Sequence, residues 1–174
     1  LFWLPNHDKL LFGSATSSGF GKIYVSDSNG DNVIELRNHL GADQEFSFKH
    51  ASQEFEKIFF QDTSGYYISD FDGSNKVELS WKDGFYFESF SPDNQRFLIE
   101  GNSSIYVGNS DTGSIKEIAE GGSPAWEKDG NMIIYKNNED LYKISIDENN
   151  EPQLIDDDNN WQFNQLELLD EFIK

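Results

Sequence analysis

Cysteine is missing altogether from this 174-residue chain, and lysine plus arginine number only 13 against 32 acids. Without thiols there is neither a disulfide framework nor a cysteine-based metal or redox centre, although the compartment stays open because exported bacterial proteins often lack cysteine too. The few bases are scattered, and at a formal net charge of −19 the chain is a poor ligand for phosphate backbones and for anionic membrane surfaces. A cationic partner, a divalent metal or simple solubility would all suit that charge. Also missing is any apolar run of about 20 residues, the length a membrane-spanning helix needs. The chain opens Leu1-Phe2-Trp3 without a methionine. It is therefore expected to be a piece of something longer, and the lack of a signal peptide carries no information on export.

What is present is aromatic. Fifteen Phe, 7 Tyr and 4 Trp make 15% of the residues, far more core material than a disordered acidic chain carries. Short runs of aromatic and β-branched residues alternate with clusters of Asn, Asp, Gly and Ser, an all-β texture in a chain long enough to bury a core.

Those runs repeat. Ile23-Tyr24-Val25, Tyr66-Tyr67-Ile68, Ile105-Tyr106-Val107 and Leu141-Tyr142-Lys143 each centre on a tyrosine, at periods of 43, 39 and 36 residues. Twelve residues beyond each tyrosine stands an aliphatic residue: Leu36, Leu79, Ile118 and Leu154. Between them lie turn clusters, Asp27-Ser28-Asn29-Gly30, Asp70-Phe71-Asp72-Gly73 and Asn109 to Gly113, with a fourth, Asp147 to Asn150, that lacks glycine. Asn, Asp and Gly accept the positive φ of tight hairpins, so each unit reads strand, hairpin, strand. A second hairpin precedes each tyrosine. The lead aromatics Trp3, Phe90 and Trp126 stand nine residues before Phe12, Ile99 and Tyr135, with Pro, Asp or Gly in the turn. In the second repeat the distance from Phe48 to Phe60 is twelve, which predicts a three-residue insertion around Ser52 to Glu54.

Two hairpins per repeat make a four-stranded antiparallel sheet of about 40 residues, which must stack on its neighbours to bury both faces. The expected fold is an all-β propeller of about four blades, over residues 1–40, 41–80, 81–120 and 121–158. In the tail, 159–174, Leu166, Leu169 and Phe172 or Ile173 have roughly helical spacing, so a short C-terminal helix is favoured over a truncated strand. A β-sandwich would explain the strands but not the fourfold recurrence. Trp126-Glu127-Lys128-Asp129-Gly130 and Ile23 through Gly30 resemble the repeats of TolB-type propellers, relatives of WD-repeat domains, over about residues 1 to 155. The resemblance implies six or more blades in a complete member, more than this chain provides. It also implies that loops between blades share one face with the middle hairpin loops: 37–47, 80–89, 119–125 and 155–160 with 13–22, 61–65, 100–104 and 136–140. Propellers host many activities, so it implies little about function.

On that face the richest segment is the interblade stretch holding Trp81, Asp83, Phe85, Tyr86 and Glu88. Aromatics beside acids suit a partner surface, because large rigid rings bury area at low entropy cost; alternatively Phe85 and Phe87 begin the next strand and point inward. Acids such as Asp43, Glu45, Asp62, Glu100, Glu139 and the run Asp156 to Asp158 crowd the same face, but Asp27, Asp70, Asp93, Asp111 and Asp129 lie in turns at the opposite one. The charge therefore reads as a property of the whole surface, and no metal site is assigned. Asp27 to Asn32 superficially follows a calcium loop, but an EF-hand wants Gly and Glu where Asn32 and Asn38 stand. His7, His39 and His50 have no metal-ligand spacing, and there is no G-x-S-x-G elbow. No pair among the acids is singled out for glycoside chemistry. No catalytic, cofactor-binding or metal residues are therefore expected.

The functional expectation is a non-enzymatic interaction module for a protein partner with a basic surface, in a larger assembly; the TolB-type resemblance adds the periplasm or cell surface as its place. The alternatives are the regulatory propeller of a hydrolase resembling the prolyl oligopeptidase family, with its catalytic domain outside this chain, and a carbohydrate-binding or carbohydrate-cleaving propeller. The last would need Trp81 and Tyr86 exposed together.

Overall fold

A computed structural model describes residues 2–4, 8–13, 21–35, 47–52, 56–71, 73–146 and 151–156. Among these, sixteen strands form four antiparallel sheets of four strands, each in strict sequence order. Blade 1 holds β1 (Phe2–Leu4), β2 (Lys9–Gly13), β3 (Ile23–Asp27) and β4 (Ile34–Glu35). Blade 2 holds β5 (Ser47–Ala51), β6 (Lys57–Gln61), β7 (Tyr66–Asp70) and β8 (Val77–Glu78). Blade 3 holds β9 (Phe85–Phe90), β10 (Arg96–Gly101), β11 (Ser104–Asn109) and β12 (Ile115–Glu120). Blade 4 holds β13 (Gly122–Trp126), β14 (Met132–Asn137), β15 (Asp140–Ser145) and β16 (Gln153–Asp156). Because strand direction alternates, the first and third turns of every blade share one end, and the middle turn and the link to the next blade share the other. The C-terminal tail, for which a helix was favoured, lies outside the described residues.

The repeated tyrosine sits on the third strand of each blade, directly opposite the closing hydrophobic residue of the second: Tyr24 on Phe12, Tyr67 on Phe60, Tyr106 on Ile99 and Tyr142 on Tyr135. In three blades the two rings stack, at centroid distances of 5.5, 5.6 and 5.8 Å. In blade 3, where Ile99 replaces a ring, Tyr106 packs instead on Phe85 at 4.6 Å. Such aromatic pairs contribute about 0.5–1.5 kcal/mol each beyond the area they bury.

Strand alternation then builds the stack. Phe60 joins Leu11, Ile23 and Val25 in the core between blades 1 and 2, while its neighbour Phe59 joins Phe85, Phe90 and Phe97 in the core between blades 2 and 3. Leu98 and Ile105 pair with Ile133, Tyr135 and Ile144 between blades 3 and 4. The largest of the three cores is the aromatic one, with Phe87 stacked on Phe59 at 4.3 Å and on Phe97 at 5.7 Å.

Two local features depart from the expected repeat. The three-residue insertion in blade 2 is absent. Ala51 pairs with Ile58 as Phe90 pairs with Phe97 and Trp126 with Ile133. The lead position is therefore Ala51, nine residues before Phe60 like its counterparts, and an aromatic count mistook Phe48 for it. The second feature is a β-bulge in the first strand of blades 2, 3 and 4. Lys49 and Glu88 are each the extra residue of their strand, and Ser123 with Pro124 face the single Tyr135. Bulges bend a strand and re-aim one side chain out of the ladder.

At the end carrying the first and third turns, Gly30, Gly73 and Gly113 all take positive φ, as the hairpin reading of these clusters requires. Asp27 accepts from Lys9 Nζ at 2.8 Å and from Asn32, and Asp70 accepts from Lys57 Nζ at 2.8 Å and from Asn75 at 2.6 Å. The calcium-loop resemblance thus resolves into a repeated Lys–Asp–Asn clasp that closes the third turn.

Gly108 lies opposite Phe97 in β11, and a methyl there would meet the Phe97 ring at 2.0 Å. Phe97 is fully buried and has no space to yield. Gly108→Ala should therefore destabilise the fold by about 1–3 kcal/mol, the usual cost of overpacking. Urea unfolding should show the loss, and Phe97→Leu combined with it should recover part of that loss.

Candidate functional site

The link between blades 2 and 3 turns at Lys82-Asp83-Gly84-Phe85, with the Phe85 amide donating to the Lys82 carbonyl at 3.2 Å and Gly84 at φ 83°. This segment brings the five candidate residues of the sequence reading into two environments. Trp81 stacks on Tyr66 at 4.7 Å and lies against Phe59 and, edge-on, Phe85. Phe85 is buried at 6% exposure. Both rings are mortar between blades 2 and 3. Tyr86 points the other way and is 68% exposed, Asp83 is exposed, and Glu88 is half-buried on the bulge. The pair of exposed rings that a sugar platform would need is therefore reduced to one.

Tyr86 pairs across the sheet with Glu100, and Glu100 opens a cleft that the sequence did not point to. This concavity of about 600 Å³ lies between the ends of blades 3 and 4. One wall is the blade 3 hairpin, Glu100 to Ser104, another is the link Glu120 to Ser123, and the third is the blade 4 hairpin from Lys136 to Asn138. The hairpin turn at Asn102 and Ser103 has both residues at positive φ, 55° and 61°, the type I′ conformation of a two-residue loop. Its Ser103 carbonyl accepts from the Gly121 amide at 2.9 Å, which ties the link to the hairpin.

Glu100 is held by backbone. Its Oε2 accepts from the Ser123 amide at 2.6 Å, and a methyl on Gly122 would meet Oε1 at 2.9 Å. Only glycine at 122 lets the carboxylate lie there. Glu120, which pairs with Ser104 across the sheet, is exposed, and Ser104 donates to Glu117 at 2.9 Å. Lys136 is exposed and makes no ion pair among the described residues.

The acids at the two ends of the blades behave differently. At the turn end of blades 1 to 3, Asp27, Asp70 and Asp93 are paired with Lys9, Lys57 and Arg96. Hydrogen bonds from Lys9 and Asn32 hold Asp27 below the usual carboxylate range. Burial alone would raise Asp70 and Asp93, yet the donors around each outweigh it and hold both below that range. Asp62, at the opposite end, is buried but takes Lys76 Nζ at 3.1 Å and the Ser64 and Gly65 amides. Glu88 has none of this. Burial pushes its carboxyl up, the nearby Glu100 charge pushes it further, and no donor reaches it among the described residues. The described residues also contain no group of three His, Asp or Glu placed to share a metal ion.

The raised Glu88 sets a sign for stability. An ionised group whose folded pKa lies above its unfolded value of 4.5 costs stability in full above the folded pKa, and costs nothing below 4.5, where both states are protonated. Glu88→Gln should therefore raise the melting temperature at pH 7. That gain should fade as the pH falls towards 4, as thermal scans across the range would show.

No family model matches the chain, and no curated protein matches it in sequence. Solved structures do match in fold. A TolB from Agrobacterium tumefaciens superposes with TM-score 0.56 at 17% identity, over 90% of this chain and 60% of its own length. A eukaryotic initiation factor gives TM-score 0.57 at 11% identity, over 80% of this chain and 37% of that one. An oligogalacturonate lyase from Vibrio parahaemolyticus gives 0.50 at 13%, over 76% and 42%. The chain thus spans less than two thirds of each neighbour. At these identities the likeness is one of architecture: the four sheets are blades of a β-propeller.

Proposed function

We propose that this chain is a non-enzymatic interaction module, four blades of a larger propeller that presents its link-and-middle-turn end to a protein partner. The observation that carries the reading is Tyr86, a ring 68% exposed on the first strand of blade 3, in a segment where Phe85 is buried and Trp81 and Phe87 are partly covered against the core between blades 2 and 3. Hydrophobic burial turned every neighbouring aromatic inward, and one amphipathic ring left at the rim of a polar cleft is the anchor type that protein interfaces use. Asp83 and Glu88 flank it and suit a partner with a basic surface. The same charge makes encounter with such a partner fast at low salt.

The likeness to a TolB supports a place in the periplasm or at the cell surface, within a larger assembly. In that setting the four blades supply a rigid frame, and specificity resides in the loops at one end.

Affinity capture with the natural full-length protein tests the reading. A specific partner should be enriched, and Tyr86→Ala should reduce its capture about tenfold or more without lowering the melting temperature. Failure to enrich any partner, together with turnover of a substrate by the full-length protein, would overturn it.

A further inference from the structure

The cleft between blades 3 and 4 has a chemistry more specific than an acidic surface. Its floor is backbone, kept open by glycine: a methyl on Gly121 would meet the Lys136 carbonyl at 2.4 Å, and one on Gly122 would meet the Glu100 carboxylate. Glu100 is fixed by the Ser123 amide through Oε2 alone, so Oε1 keeps acceptor capacity towards the cavity. Glu120, Asn102, Asn137 and Asn138 also line the cavity. Glu88, half-buried and without a donor among the described residues, adds a negative charge close enough to be felt at Glu100. Tyr86 stands across the strand pair from Glu100 with its ring in solvent. Lys136 is the sole cation in the lining.

We propose that this cleft receives one basic side chain, an arginine or lysine, presented by a loop or strand of the partner protein. The inference rests on the interaction reading above and names the chemistry of the guest. The cation's N–H groups donate to Glu100 Oε1 and Glu120, its flat face or stem lies along Tyr86, and the asparagine amides pair with the peptide groups on either side. An anionic guest would meet uncompensated carboxylates, and an apolar one would desolvate them without return. Lys136 occupies part of the same field and weakens it.

The probe is a nine-residue Gly/Ser peptide with a single central arginine, titrated at low salt into the full chain and followed by backbone amide NMR shifts. Saturable shifts centred on residues 100–104, 120–123 and 136–138 are expected, with none from the same peptide carrying glutamate or glycine at its centre. Glu100→Gln and Glu88→Gln should each weaken binding about three- to fivefold, and Lys136→Ala should tighten it by a similar factor. A melting temperature measured alongside separates loss of affinity in Glu88→Gln from loss of fold. Arginine and glycine peptides that bind alike, or an affinity unmoved by Glu100→Gln and Lys136→Ala, would overturn the proposal.

The natural partner separates the two readings. If Tyr86→Ala abolishes its capture while Glu100→Gln and Lys136→Ala leave capture unchanged, the interaction role stands and the cationic guest is wrong. If the arginine peptide binds as described but no partner is captured, the cleft stands and the interaction role falls.

Discussion

A four-stranded sheet in water has two faces to hide, and in this chain the second strands of blades 2 and 3 settle both by sending consecutive side chains to opposite neighbours. Phe59 belongs to the core with blade 3 and Phe60 to the core with blade 1; Leu98 belongs to blade 4 and its flanking Phe97 and Ile99 to blade 2. Among the described residues blades 2 and 3 are thus each half of two hydrophobic cores and blades 1 and 4 each half of one, which makes stability a sum over interfaces between neighbours. The cross-strand tyrosine reinforces the side turned to the preceding blade. In blade 1 that side carries the Phe12–Tyr24 stack, and both rings are only partly covered among the described residues.

With the core set by the middle strands, the two ends of the blades are released for other uses, and their electrostatics diverge. The first and third turns spend their acids internally: the Lys9–Asp27 and Lys57–Asp70 clasps and the Ser91–Asp93–Arg96 group each satisfy a carboxylate within the blade. Lys57 reaches on to Asp111 at 3.4 Å and links blade 2 to blade 3. Solvent screens pairs as exposed as these, so their role is geometric, in closing turns, more than energetic. At the other end of blades 3 and 4, Asp83, Glu88, Glu100 and Glu120 form no ion pair with any described residue.

Periodicity made the architecture legible. Tyrosine at a spacing near 40 residues, with glycine-bearing turns between, is a direct consequence of one supersecondary unit repeated, and the fold it implies is the one found in solved structures at identities of 11–17%. Register was less legible. The blade 2 insertion was an artefact of reading Phe48 as the lead residue, since Ala51 fills that position and a small side chain leaves no aromatic mark. The candidate site was legible only in outline. The segment Trp81 to Glu88 stood out by composition, but which of its rings face water depends on strand phase and on a bulge at Glu88, and neither has a sequence signature. The cleft left almost no trace. Its walls come from three separate stretches joined by hairpin geometry, and its one readable signal was the Gly121-Gly122 pair in a link between blades.

The bulge ties these threads together. Inserting Glu88 into the first strand of blade 3 leaves Phe87 in the aromatic core and Tyr86 in solvent, while placing a second carboxylate near Glu100. By the rules that govern the rest of the chain this is a fault: a half-buried acid with no donor, beside another acid, in a protein already carrying far more acids than bases. At the opposite end of blades 1 to 3, Asp27, Asp70 and Asp93 are each paired with a lysine or arginine. Folded proteins keep such local inconsistencies where something outside the chain relieves them. Here the relief has a definite form. A single positive charge at the rim would lower the cost of Glu88, satisfy the free oxygen of Glu100 and cover the exposed face of Tyr86 at once.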